Sequence, residues 1–560
     1  VLLTDIDDLR QWLESRPWLD IQQTGTEVLK QLTALDQTPM AADRRAALLE
    51  LYQPYLKPLT ESLERILLDA ARPLPPSNHS SAEHLLTLCQ QMVSNLRRVL
   101  FSPDFLAPNG FRQNDRFSLL FHMSDWLSRL QLYYAQIYQS PGANFWHTVY
   151  RIYNLVETSP LFLSDPKAPS KIRSLLAPIL LFGAATPEKF RPRELKQIHI
   201  LLKNYAHLVE FHNQPRKGTN KAIFFFDTKT PAPPTPIKLL GQISPSNTDL
   251  TFLFPQHLIK ALLTFITAPE PPIETVLPRQ QSKKLTVQLT RLFSAPKRRK
   301  WRRLREEGTC QLAIGIEQLL SVLIDQGKVS DDLFELLPTR QYSGRTENWF
   351  QDDFEILPLE NTMASPDDHD QKSETKVFWD LEGSRDKITS QDIWPPEDSA
   401  DKDPGRTERY PAQLANSSAQ GYCLLWFDHT PNVLKVGEII GIIHTPGELE
   451  VGTVRWLKHD THSSMRLGIE LLSFAATGIV TYSHVNEQNE KRGKKGELGL
   501  LLPPQPALKK PASLLLSSHS WKTGQWVRVY RDKADYEVYS LKQRIDATPA
   551  YDLFSLEKIS

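Results

Sequence analysis

The chain is 560 residues long and carries 66 Lys and Arg against 65 Asp and Glu, a formal net charge of +1. Hydrophobic residues make up 40% and charged residues 23%, the balance of a globular chain and not of a collagenous or wholly disordered one. At roughly 150 residues per domain the length predicts about three to four domains.

The longest apolar stretch, Ser174–Ala185, falls short of the roughly 20 residues that a bilayer crossing needs. The first residues, VLLTDIDDLRQWLE, are acidic and amphipathic, unlike a signal peptide. They open on Val1 and not on Met, so the beginning of the protein is expected to be missing. Cys89, Cys310 and Cys423 lie too far apart for a disulfide framework or a metal spacing, which predicts a reducing, cytosolic setting. Pro is frequent (42) and Gly scarce (23), so some connections are expected to be stiff and extended.

Residues 1 to about 210 read as an all-helical domain. One apolar stripe runs through Leu85, Leu88, Met92, Leu96 and Val99, with Ser80 and Glu83 as a capping box ahead of it. A second runs from Leu120 to Ile137 and a third from Leu195 to Leu208. Pro54 and Pro58 are expected to break or kink the helix around Tyr52. Such faces are normally packed against one another, and a partner groove is the alternative. Residues 221–290 predict a small α+β region, with strands at Ala222–Phe226 and Leu250–Phe254 and a helix at His257–Ile266.

Two charge blocks follow. Lys297–Arg305, KRRKWRRLR, has seven basic residues in nine. It precedes a predicted strand, Thr309–Ile316, and an amphipathic helix, Glu317–Asp325, so residues 297–326 form one segment. Residues 347–403 hold 17 acidic and 5 basic residues, a net of −12, without apolar periodicity, and read as a disordered linker. From residue 410 to 560 the period becomes two. Val433–His444, Leu449–Lys458, Met465–Ser473 and Gly478–Ser483 are separated by turn residues, which predicts a small antiparallel β-barrel. Further strands are expected at Ser513–Leu516, Trp526–Arg531 and Tyr536–Leu541.

P-loop, HExxH and GxSxG motifs are absent, so an enzyme is not expected. Gly493, Gly496 and Gly499 read as a turn, and His459 and His462 as a solvated turn and not a metal pair, since a structural site takes about four ligands. The informative motif is Asn416–Gly421, NSSAQG. Short polar side chains and backbone amides at a turn suit hydrogen bonding to a polar ligand, and Gly421 allows close approach. A capped β-turn is the plainer alternative.

Asn416, Ser418 and Gly421 occupy the three defined positions of [D/N]-x-S-x-x-G, and VGTVRWL (Val451–Leu457) and RLGIELL (Arg466–Leu472) follow at the right distance. This segment resembles the PilZ domains, bacterial receptors for cyclic di-GMP. The resemblance also calls for R-x-x-x-R before the first barrel strand, where guanidinium groups would contact phosphate and guanine O6/N7. Arg406 and Arg409 have the wrong spacing and lie too close to Asn416. Arg298 with Arg302, and Arg299 with Arg303, have the right spacing and precede a strand.

The resemblance therefore implies a split PilZ domain interrupted by the acidic linker. With its helical N-terminal half the chain looks like the long type IV pilus-associated cyclic di-GMP receptors. That implies a non-enzymatic effector with no cofactor other than its ligand, and a pilus or motility protein partner bound through the helical half. It also implies a cytoplasmic location, with recruitment to the membrane or cell pole, and no nucleic acid partner. Two alternatives stand beside it: a degenerate PilZ-like scaffold that binds only protein, and a nucleic-acid-binding protein using the 297–305 run, with Trp301 stacking on bases.

Overall fold

The computed structural model describes residues 2–68, 74–165, 167–214, 223–237, 250–294, 304–329, 409–427, 434–444, 448–461, 464–484, 496–506, 510–518, 520–533 and 535–559, with a few isolated positions between them. The basic residues 297–303, the acidic segment 347–403 and His462 lie outside this set.

The N-terminal region is helical: α1 (Ile6–Glu14), α2 (Ile21–Gln37), α3 (Ala42–Leu68), α4 (Pro76–Leu100), α5 (Pro103–Leu106), α6 (Gln113–Gln136), α7 (Ala143–Thr158), α8 (Pro160–Leu163), α9 (Ala168–Ala184) and α10 (Pro192–Tyr205). The stripe Leu85, Leu88, Met92, Leu96 and Val99 is fully buried where α4 packs on α2, α3 and α6. Two local expectations fail here. Pro54 and Pro58 lie inside an unbroken α3. Both are on its exposed face, where water reaches the carbonyls they leave unpaired, while Leu48, Tyr52, Leu56, Leu59 and Leu63 hold the helix to the core. Nor do Ser80 and Glu83 cap α4, because Pro76 starts the helix one turn earlier with its φ already helical. No helix among the described residues is long and apolar enough to cross a membrane.

Next come β1 (Glu210–His212), β2 (Phe224–Asp227), β3 (Thr235–Pro236) and β4 (Leu250–Phe254), in the order β1-β4-β2-β3. They are followed by α11 (Gln256–Thr267) and α12 (Arg279–Ser294). The strand of successive phenylalanines is buried on both faces: Phe224 and Phe226 join the core of the helical region, and Phe225 packs with Phe252 and Phe254 on the other side. The main core thus runs without a break from Leu9 to Phe293.

The remainder forms two closed six-stranded barrels. The first contains β5 (Leu304–Ile314), β6 (Tyr410–Ser418), β7 (Gly421–Trp426), β8 (Ile439–Ile443), β9 (Leu449–Thr461) and β10 (Ser464–Ser473), in the order β10-β7-β6-β5-β8-β9. Helix α13 (Gly315–Asp325) follows β5. The second contains β11 (Thr477–Ser483), β12 (Glu497–Leu502), β13 (Ser513–Ser517), β14 (Trp526–Tyr530), β15 (Tyr536–Ala547) and β16 (Tyr551–Lys558), in the order β11-β12-β13-β16-β15-β14. The expectation of a single barrel with trailing strands gives way to two, because Thr477–Ser483 pairs with β12 and β14 and not with β10. Gly499, read as part of a turn, lies within β12.

Helix α13 is wedged between the barrels. Its Leu319, Leu320, Val322 and Leu323 share a cluster with Ile439 and Val451 of the first barrel and Val480, Leu500 and Tyr551 of the second. The helical region also enters the first barrel. Tyr138, just past α6, has φ of 58° and is buried in the barrel core with Leu312, Trp426 and Leu457, while its carbonyl accepts the His459 N–H at 2.9 Å. Arg191 donates Nε to the Val436 carbonyl at 2.7 Å, and Lys284 donates to that of Ala547 at 2.8 Å.

Candidate functional site: the β6–β7 hairpin and the outer face of the first barrel

Antiparallel pairing brings the motif together. Asn416 lies opposite Cys423, Ser417 opposite Tyr422 and Ser418 opposite Gly421, leaving Ala419 and Gln420 as a two-residue loop. Ser418 donates its hydroxyl to the Gly421 carbonyl at 3.2 Å, and the Gln420 carbonyl accepts the Leu471 N–H at 2.9 Å. Gly421 is required on two counts. Its φ is +152°, and a Cβ there would collide with the Ile469 carbonyl oxygen and stand 3.1 Å from Glu470 Cα. The glycine of the motif is therefore already explained by the fold.

Asn416, Ser418 and Gln420 are half-exposed and Ala419 is exposed, so the hairpin tip is open to solvent. Across the sheet, Leu304 pairs with Ser417 and Arg305 with Asn416. The strand that follows the basic run thus begins directly beside the motif. Arg298, Arg299, Arg302 and Arg303 themselves lie outside the described residues; β5 starts one residue after Arg303. The strand starts earlier than the predicted Thr309 because Leu304 and Arg305, though exposed, pair with β6.

The register extends this neighbourhood into a row across five strands: Arg305, Asn416, Cys423, Gly468 and Trp456 stand successively opposite one another. The adjoining row, Leu424, Leu467 and Leu457, is fully buried in the barrel core, so the five residues face outward. A β-bulge interrupts β9 here. Gly468 opposes Trp456 and Ile469 opposes Val454, which leaves Arg455 as the extra residue.

Arg455 donates to Glu470 and to Asp546 of the second barrel, each at 2.7 Å, and Asp546 also accepts from the Tyr551 hydroxyl at 2.8 Å. Burial opposes charge on Asp546, but the facing Arg455 outweighs it and holds the carboxyl below its ordinary range. Glu470 is also the register partner of Gly421, so the motif hairpin is one step from this ion-paired link. Sequence reading passed over Arg305 and Trp456. Arg305 was only the last residue of a basic run, and Trp456 one aromatic in an alternating strand; register alone puts them in the row.

Among the described residues no cluster of His, Cys, Asp and Glu is arranged to hold a metal ion. His459 belongs to β9, at the contact with Tyr138.

Family models described as the N-terminal domain, the middle PilZ domain and the C-terminal β-barrel domain of the cyclic-di-GMP receptor FimW match residues 7–216, 223–477 and 487–559. The middle match ends at the first residue of β11, where one barrel gives way to the other. A curated relative, the cyclic-di-GMP receptor FimW of Pseudomonas aeruginosa, is 22% identical over 550 residues, covering 93% of this chain and 85% of its own length. No solved structure matches the chain.

Proposed function

Because the chain belongs to the family of the cyclic-di-GMP receptor FimW, we propose that it is itself a non-enzymatic receptor that binds cyclic di-GMP on the outer face of its first barrel. The observation that carries this reading is the pairing of Leu304–Arg305 with Asn416–Ser417, which starts the strand after the basic run beside the motif hairpin. In this reading Arg298 with Arg302, or Arg299 with Arg303, clamps phosphate and guanine O6/N7 bidentately. Asn416 and Ser418 supply short polar contacts, and Gly421 keeps the hairpin tight enough for them to converge.

The arginine segment and the hairpin come from distant parts of the sequence. Ligand contacts made only when both are in place would favour their joined state, which is the differential affinity a population shift needs. In this reading the helical region carries that state to a protein of the pilus or surface-attachment machinery. The receptor would work in the cytoplasm and reach the membrane or cell pole through that partner.

Calorimetric titration of the full chain with cyclic di-GMP, with GTP as control, tests the reading. Saturable binding lost in an Arg298/Arg302 double alanine variant that remains folded is the expected result. No binding by the parent chain would reduce the first barrel to a protein-binding scaffold. Binding of any single strand, with steep salt dependence and no role for Asn416 or Ser418, would make the basic run a nucleic-acid patch instead.

A further inference from the structure

We propose that the outer face of the second barrel, across β11, β14 and β15, is a docking surface for an extended acidic segment of a partner protein, one whose alternate residues run apolar, acidic, apolar. The inference stands apart from the nucleotide site. Val527 and Val529 are buried in the barrel core, so Trp526, Arg528 and Tyr530 of β14 all point outward. The register sets Tyr482 of β11 opposite Arg528, and Tyr536 of β15 opposite Tyr530. The rings meet in series. Tyr482 lies against Tyr530 with centroids 5.7 Å apart, Tyr530 against Tyr536 at 5.2 Å, and His484 stacks on Trp526 at 6.0 Å. Trp526 and Tyr536 are 44% and 45% exposed in the intact chain, so the face is open to another molecule.

Arg528 gives the face its chemistry. Its guanidinium lies over the Tyr536 ring, 5.5 Å from the centroid, and its Nε donates to His484 Nδ1 at 3.0 Å. Both terminal nitrogens are left without a partner, and among the described residues no carboxylate pairs with this arginine. The neighbouring cations are already paired, since Arg531 and Lys558 share Glu537. A planar guanidinium held in place by two rings is a bidentate receptor for a carboxylate, with little ordering left to cost affinity on binding. One unpaired cation between aromatic rings matches one acidic side chain, whereas a nucleic-acid strand is held by a run of cations along its phosphates. Alternate residues of a strand lie about 6.7 Å apart, so ring, cation and ring at Trp526, Arg528 and Tyr530 keep step with positions i, i+2 and i+4 of an extended chain laid along β14. Aromatic residues and Arg are also the types on which binding energy concentrates. The rival occupant is this chain itself, because Phe350, Asp352 and Phe354 follow the same alternation and Tyr482 donates its hydroxyl to the Leu336 carbonyl.

The test titrates the full chain into a fluorescein-labelled probe peptide, Ser-Phe-Ser-Glu-Ser-Phe-Ser, and follows its anisotropy. The parent is expected to bind this probe saturably, and to bind the same peptide with Lys in place of Glu about tenfold more weakly. Trp526→Ala is expected to weaken binding of the Glu peptide about tenfold, the loss typical of an aromatic anchor. Arg528→Glu, a change at a half-exposed position, is expected to reverse the preference, so that the Lys peptide binds better than the Glu peptide. An arginine with only a structural role would not produce that reversal. Failure of the parent to bind, or equal binding of the two peptides, would overturn the proposal, as would an unchanged preference in folded Arg528→Glu. Binding that appears only in a Phe350→Ser/Phe354→Ser variant would overturn the partner and assign the face to the chain's own segment.

Discussion

In the proposed reading Ser418 has two tasks at one oxygen. It braces the hairpin by donating to the Gly421 carbonyl at 3.2 Å, and its lone pairs remain available to a ligand at the solvent-open tip. Ser418→Ala is expected to cost cyclic di-GMP binding about 1 kcal/mol, whereas Arg302→Ala is expected to cost about 1.5–3 kcal/mol, since a bond to a charged group is stronger. Arg406→Ala should cost much less; isothermal titration of the three variants checks the order. Acid sensitivity also has a residue-level origin, far from the hairpin. His199 is buried against the Ser128 hydroxyl at 2.8 Å, and burial, reinforced by Lys203 and Arg129, pushes its pKa down to about 3. Asp125 is buried too, but Lys203 and Arg129 overcome that burial and bring it to about 2. Both folded values lie below the unfolded ones, so the unfolded chain binds the extra protons and stability falls with pH. Loss from His199 starts below its ordinary value of 6.5 and loss from Asp125 below 3.8. Thermal melts should show the helical region losing about 2 kcal/mol between pH 7 and pH 5 from His199 alone, and a folded His199→Phe variant should lose much less over that interval.

At the scale of elements, α13 supports both barrels at once. Leu320 is fully buried in the cluster between them, and Leu320→Ala is expected to destabilise the protein by about 2–5 kcal/mol in chemical denaturation, with both barrels affected. The sequence made α13 readable, because a 3.6-residue period survives whatever the helix packs against. The alternation of Met465, Leu467, Ile469 and Leu471 likewise made β10 readable. Closure was not readable: a period of two marks a strand without naming its neighbour, so β11 looked like one more strand of the first barrel. Pro54 and Pro58 misled for the converse reason, since local propensity yields where an exposed face meets water and a buried face holds the helix. At the hairpin, Asn416, Ser418 and Gly421 could be picked out because their spacing is local. The row running from Arg305 to Trp456 joins residues about 150 positions apart and exists only once register is fixed.

On the scale of the whole molecule, Arg455 connects the barrels. It lies between Glu470, the partner of Gly421, and Asp546, which Tyr551 also contacts. Arg455→Met is expected to uncouple the second barrel, so that scanning calorimetry resolves its melting from that of the first barrel where the parent shows them together. The first barrel has a second tie, to the helical region, on the same strand β9. Tyr138 occupies its interior yet belongs to the chain that leaves α6, held at a φ of 58° that a tyrosine rarely adopts. The barrel is therefore not a portable part. A fragment cut to the boundaries of the middle family match, or a graft of that fragment onto a foreign helical region, would lack Tyr138 from the buried cluster that it shares with Leu312, Trp426 and Leu457. Its expected signature is a lower melting temperature than the same barrel has in the full chain, and Tyr138→Ala in the full chain should reproduce most of that deficit. In the proposed reading, inheritance of the nucleotide site by recombination would then demand its helical companion as well, a unit of exchange larger than the first barrel alone.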